Sequence, residues 1–255
     1  MKQILLITDG CSNVGISPVI AAGHALSEGI VVNVIGVIDQ GEIGVLGSEE
    51  IGEIAKAGGG ISRIVPSVTL SHTVQMMTRQ TVAHTIRQAV NAELREIMGS
   101  GDVGELPPPK RAKIVAAMDD LSETAPLQVA LLVDASASMK PKLGAVREAV
   151  RDLMASLQAR EGKSELSVFH FPGRDSSEEI RMDADWTREL AKIPNLFYNL
   201  NMKGTTPTGP ALLHTIRHFK SGGGGGSLPT VEDGLQLGSP GMENGEDGML
   251  RDYIV

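Results

Sequence analysis

The chain has 255 residues, 23 Lys and Arg against 31 Asp and Glu, and a formal net charge of −8. This length allows one large domain or two small ones with a substantial core, and a pI near 5.3 excludes the basic footprint of a duplex-binding protein. A single cysteine excludes an intramolecular disulfide framework and any multi-cysteine zinc or iron–sulfur site.

In chain order, residues 1–66 alternate short apolar runs with helical patterns. The first run, Ile4–Ile7, stops at Thr8 and Asp9, too short for a signal-peptide core or a membrane span. With one cysteine, the expectation is a soluble cytosolic protein in a reducing compartment. The spacing predicts helices over Pro18–Ser27 and Ser48–Ala57, and strands over Ile30–Val37 and Ile61–Val65. IVVNVIGV is continuous and β-branched, as expected of a strand covered on both faces. Such alternation predicts a doubly wound, mostly parallel α/β sheet. With four Phe, two Tyr and one Trp, its core must be built from Val, Ile, Leu, Ala and Met.

Residues 67–125 change character. From Ser67 to Met98 there is neither Pro nor Gly, and Leu70, Val74, Met77, Thr81 and His84 recur at helical spacing. Met76, Met77 and Met98 read as packing residues. A Gly- and Pro-rich break follows, then a second predicted helix from Lys110 to Thr124. Residues 126–220 return to α/β, with LQVALLV and ELSVFHF as strands and KPKLGAVREAVRDLMASLQAR as a helix between them. Residues 221–255 carry six acids against Arg251 and ten of the 30 glycines. They predict a disordered acidic tail behind a flexible linker, from which a carboxylate such as Glu232 or Asp233 could serve as an internal ligand. The body before them is left with a net charge near −3.

Two predicted strands end in oxygen-bearing loops. ILLIT runs into Asp9 and Gly10, and VALLV runs into Asp134, Ser136 and Ser138. In a parallel sheet all carboxyl ends share one rim, where open α/β folds bind ligands, so loops distant in sequence face one another. A third loop, GTTPTG at 204–209, places Thr hydroxyls just before a helix. Asp, Ser, Ser, Thr and Asp make an all-oxygen set with few carboxylates, suited to a hard cation such as Mg²⁺. Neutral hydroxyl ligands leave such an ion under-compensated, so that it attracts an outside carboxylate.

Each motif alone is weak, since Asp and Ser are ordinary turn and cap residues. Cys11, next to the first loop, reads as a small buried residue. His24, His72, His84, His170, His214 and His218 show no metal-ligand spacing; His214 and His218, four apart, read as a solvated helix face. GxSxG, a P-loop and a GxGxxG after a strand are all missing from the sequence.

DASAS at a strand end, GTTPTG and a strand ending TDG together resemble the von Willebrand factor type A (VWA) family, where these loops form a metal-ion-dependent adhesion site. The resemblance implies Asp134, Ser136, Ser138, Thr206 and Asp9 as metal ligands, with Thr205 an alternative to Thr206. Gly204, Thr205 and Gly10 are then the expected partner-binding positions. Mg²⁺ is the implied ion, with Mn²⁺ and Ca²⁺ open. In that family DxSxS precedes the Thr loop and the TDG strand, whereas here TDG comes first. The chain therefore resembles a circularly permuted VWA domain whose halves are joined by a helical connector, closing within one chain or by swapping in a dimer. Order and wording are similar to VWA proteins of spore-forming bacteria, which implies a cytosolic protein working through a protein partner.

The resulting expectation is a non-enzymatic, metal-dependent protein-binding module whose partner presents Asp or Glu. The alternatives are a metal-dependent phosphohydrolase and an adaptor subunit of an ATPase or kinase. A hydrolase would need a general base that the sequence does not offer, and a hydroxyl-rich single-ion site activates water poorly. Neither nucleic acid nor membrane is an expected partner.

Overall fold

The computed structural model describes residues 1–39, 45–98, 103–173, 178–189, 196–197 and 205–221. Six strands form one sheet: β1 (Lys2–Thr8), β2 (Ile30–Val37), β3 (Gly59–Val65), β4 (Leu127–Asp134), β5 (Ser164–Phe171) and β6 (Arg181–Thr187). Their order is β3-β2-β1-β4-β5-β6, with β1 to β5 parallel and β6 antiparallel at the edge. The chain thus moves outward from β1 to one edge, returns to the centre at β4, and moves outward to the other edge. Loops leaving β1 and β4 diverge, which opens a crevice at the carboxyl ends of these two strands.

Helices α1 (Pro18–Ser27), α2 (Val45–Ala57), α3 (Leu70–Met98), α4 (Pro108–Thr124), α5 (Leu143–Gln158) and α6 (Thr208–Ser221) flank the sheet. The central strands are apolar on both sides because both are covered. Leu5 and Ile7 of β1 and Val129, Leu131 and Val133 of β4 pack against Leu70, Val74 and Met77 of α3 and Val146 and Val150 of α5. Ile4, Leu6, Ala130 and Leu132 pack on the other side against Ala21 and Ala25 of α1, Ile51 of α2 and Ile216 of α6. Each wholly buried Leu or Ile contributes about 1.5–3 kcal/mol, which makes this two-sided core the main source of stability.

Helix α3 has 29 residues, about 44 Å at the usual rise. It packs on β2, β3 and α5 and carries α4, and so brings the chain from the β3 edge back to the centre of the sheet. β1 and β4, drawn from opposite halves of the sequence, pair within the one chain. Among the described residues no helix is long and apolar enough to cross a membrane.

Several expectations need correction. β6 was not expected from the sequence: its register against β5 breaks twice, so its inward residues do not simply alternate. Helix α5 starts at Leu143, because residues Ala137–Lys142 form a 3₁₀ turn containing Pro141. His84 is exposed in a cleft with Gly60 and Gln80, and Val82 and Ile86 continue the buried stripe of α3 instead. His214 and His218 lie on the covered side of α6, not a solvated face, with His218 stacked on Trp186 of β6. Cys11 is exposed. Met77 is buried as expected, whereas the Met98 side chain, Gly204 and the tail at 222–255 lie outside the described residues.

Candidate metal centre

The loop after β4 folds back on its own last residue. Asp134 is wholly buried, and its Oδ1 accepts the Ser136 backbone N–H at 2.8 Å, the geometry of an Asx turn. Its Oδ2 accepts the Thr8 hydroxyl at 2.8 Å. Sheet register creates that contact: Ile7 lies opposite Val133, so Thr8 and Asp134 end neighbouring strands side by side. The Ala135 N–H donates to the Phe171 carbonyl at 2.7 Å, which holds the same loop against β5.

From Asp134 the oxygens continue outward. Ser136 Oγ and Ser138 Oγ are 3.1 Å apart, and the Ser138 hydroxyl donates to Asp9 Oδ1 at 2.8 Å. Asp9 Oδ2 accepts the Lys142 ammonium at 2.6 Å, in a pair whose side chains are only 3% and 13% exposed. Burial pushes the Asp134 carboxyl up to about 6; hydrogen bonds from Ser136 and Thr8 oppose the shift, and the charge on Asp9 adds to it. A carboxylate so desolvated, with a second one nearby, is a group that an added cation would stabilise in its ionised form.

Thr206 joins the rim through the loop after β1. Its N–H donates to Asn13 Oδ1 at 2.7 Å, while its carbonyl accepts the Ser12 hydroxyl and the Asn13 N–H, each at 3.2 Å. Two glycines permit this approach. Gly15 has φ +86°, and a Cβ there would stand 2.4 Å from Pro210 Cγ; a Cβ on Gly209 would stand 1.9 Å from the Ile16 carbonyl oxygen. The Ser12 N–H also donates to Glu50 Oε2 at 2.7 Å, tying the loop to α2. Thr206 is buried and Thr205 exposed. Gly10 is half-buried beside Asp9.

Of the five expected ligands, Asp134, Ser136, Ser138 and Asp9 thus belong to one hydrogen-bonded chain, and Thr206 is anchored to the loop that follows Asp9. Sequence reasoning missed Thr8, Ser12, Asn13 and Lys142. Thr8 read only as the residue where an apolar run stops, and Lys142 fell without comment inside a stretch predicted as a helix. Desolvation and the charge of Glu50 push the exposed Cys11 thiol upward, which disfavours its thiolate.

The donor set fits a small divalent cation. Among the described residues no group of three or more His, Cys, Asp or Glu comes together, so a site here must draw on hydroxyls. The pairs Ser136 Oγ to Ser138 Oγ at 3.1 Å and Ser138 Oγ to Asp9 Oδ1 at 2.8 Å match the edge of about 2.9 Å expected for an oxygen octahedron with bonds of about 2.0–2.1 Å. Lys142 is the departure, since it brings a positive charge to one of the same carboxylates.

No protein-family model matches the chain. The chain is 43% identical over 221 residues to the protein named "Uncharacterized protein YabS" of Bacillus subtilis (strain 168), a match covering 86% of this chain and 89% of that one. It is also similar to the crystal structure of an uncharacterized protein from Alicyclobacillus acidocaldarius, with 42% identity and a TM-score of 0.79 over 87% of this chain and 94% of that one. The six-stranded, mostly parallel sheet with its flanking helices is the fold of that neighbour as well. With so much of both sequences aligned at this identity, the chain belongs to the YabS family.

Proposed function

We propose that this protein is a divalent-metal-dependent protein-binding module of the VWA type, circularly permuted, in which Asp134, Ser136, Ser138, Asp9 and Thr206 hold the ion. The observation that carries this reading is the run of oxygens from Ser136 through Ser138 to Asp9, spaced as neighbouring ligands of one small cation, with the buried Asp134 carboxylate bonded to the Ser136 N–H at its inner end. Permutation is compatible with it. Exchanging the halves of a 3-2-1-4-5-6 sheet leaves the same two strands at the centre, so the crevice between β1 and β4 survives whichever half is made first.

Binding is favoured over catalysis by the state of the carboxylates. Asp9 is held by Ser138 and Lys142, and Asp134 by Thr8 and the Ser136 N–H, so neither is placed to take a proton from a nucleophile. Mg²⁺ held by these residues would supply the positive charge that attracts a partner's Asp or Glu. Ser136 and Ser138 contribute neutral oxygens, and Asp134 orients the first of them through its turn. Val14 and Ile16, in the loop that fixes Thr206, are 44% and 41% exposed and would give a protein partner an apolar contact on that loop.

Affinity capture from cell lysate tests this reading. A partner retained in Mg²⁺ is expected to be released by chelator and to be absent with Asp134→Ala. Retention that persists in chelator defeats the reading.

A further inference from the structure

DASASMKPKL places two lysines in the turn between β4 and α5. Lys140 is exposed, whereas the Lys142 side chain turns inward and puts Nζ 2.6 Å from Asp9 Oδ2. Its backbone is anchored on both sides. Met139 is wholly buried and its N–H donates to the Ser136 carbonyl at 3.0 Å, and Leu143 is buried at the start of α5. Ordering and desolvating a long cationic side chain is costly, and the bond to Asp9 is what offsets that cost. Asp9 therefore has one oxygen on Ser138 and the other on an ammonium.

We propose that Lys142 is a built-in competitor for the cation, occupying the Asp9 carboxylate as an ion pair in the metal-free protein and making firm metal binding depend on a partner carboxylate. The inference rests on the metal-site reading above. The local charges decide its direction. Asp9, Asp134 and Lys142 together carry −1, so a divalent ion leaves the rim at +1 and a partner carboxylate returns it to zero. Without Lys142 the two aspartates alone would neutralise the ion, and a partner carboxylate would then be surplus charge. Lys142 thus lowers affinity for the ion alone and couples ion and partner.

Mn²⁺ titration of the full chain, read by the electron paramagnetic resonance of the free ion, tests this. Wild type is expected to bind one Mn²⁺ weakly and Lys142→Met to bind it about tenfold or more tightly, the scale set by removing a like charge from a few ångströms away. Lys142→Arg is expected to resemble wild type, and Asp134→Asn to abolish binding. Lys142→Gln, which keeps a donor to Asp9 without the charge, carries the same comparison if melting shows the Met variant to be misfolded. Unchanged or weaker binding in the neutral variants, with wild-type binding that Asp134→Asn removes, overturns the role of Lys142 and leaves the metal site standing. If wild type and neutral variants alike fail to bind, or binding survives Asp134→Asn, the metal-site reading falls and this inference with it.

Discussion

The Thr8 hydroxyl donates to Asp134 Oδ2 at 2.8 Å across 126 residues of sequence, and both residues are buried. One bond joins the two halves of the sheet at their adjoining carboxyl ends, and it holds a carboxyl group that burial has pushed up to about 6. Asp134 is consequently a point where folding stability and ion binding oppose one another.

That opposition has a pH signature. Asp134 titrates near 6 when folded and near 3.9 when unfolded, so between those values the native state holds more protons. Its contribution to stability is therefore greatest in acid, falls as pH rises from about 4 to about 6, and stays low above that. Asp134→Asn cannot ionise. Its stability relative to wild type is expected to improve by about 2 kcal/mol between pH 4 and pH 7 in chelator, measured by urea unfolding. An unchanged difference across that range contradicts the desolvated carboxyl.

Mg²⁺ is expected to restore what Asp134 costs. A ligand at free concentration c that binds only the folded state stabilises it by RT ln(1 + c/Kd), about 2.7 kcal/mol at a hundred times its dissociation constant, and so raises the melting temperature. Wild type should melt later in Mg²⁺ than in chelator, and Asp134→Ala should show no such difference. An equal shift in both proteins would place the ion elsewhere.

Gly209 and Gly52 are expected to respond in opposite directions to alanine. A Cβ on Gly209 meets the Ile16 carbonyl oxygen at 1.9 Å, and backbone must shift to accommodate it. Gly209→Ala is expected to lose about 1–3 kcal/mol and to weaken metal binding by displacing the Thr206 loop. Gly52 lies inside α2 with nothing within 4 Å, and its alanine variant is expected to gain about 0.5–1 kcal/mol with metal binding unchanged. Thermal melts and Mn²⁺ titrations report both.

Asn13 positions Thr206. Asn13→Ala leaves the buried Thr206 N–H without its 2.7 Å acceptor and is expected to cost about 1–3 kcal/mol. Amide exchange at Thr206 should accelerate, and Asn13→Asp, which keeps an acceptor oxygen, should largely restore protection. Equal exchange in all three proteins would remove Asn13 from this role.

Trp186 reports on α6. It is the single tryptophan and stacks on His218 with ring centroids 5.3 Å apart. Burial lowers the His218 pKa, outweighing the pull of Asp185. The unfolded chain therefore takes up the proton first as pH falls, and the stability this residue contributes is present above about 6.5 and lost in acid. Acid titration is expected to show a Trp186 fluorescence step with a midpoint below 6.5 that disappears in His218→Phe.

The alternating α/β pattern was legible because burial on two faces leaves continuous apolar runs such as Ile30–Val37, and because α1 begins at a proline and β2 follows a Gly turn at φ +71°. β6 was not legible. RMDADWT is an edge strand whose bulges mix the two faces, and at that position pairing with β5 decides the conformation more than local composition does. His218 illustrates the same limit, since its four-residue spacing from His214 marks a helix face but does not say what covers it.

The sequence by itself determined the doubly wound class and the oxygen chemistry of three loops. Strand periodicity and residue type are local properties, and the carboxyl ends of parallel strands must share a rim. Only the tertiary structure decided which atoms meet there. The register of β1 against β4 sets Thr8 beside Asp134, the glycine contacts bring Thr206 to Asn13, and the 3₁₀ turn aims Lys142 rather than Lys140 at Asp9. Those contacts depend on side-chain direction and on spacing to a few tenths of an ångström, and both are properties of packing that no single stretch of chain contains.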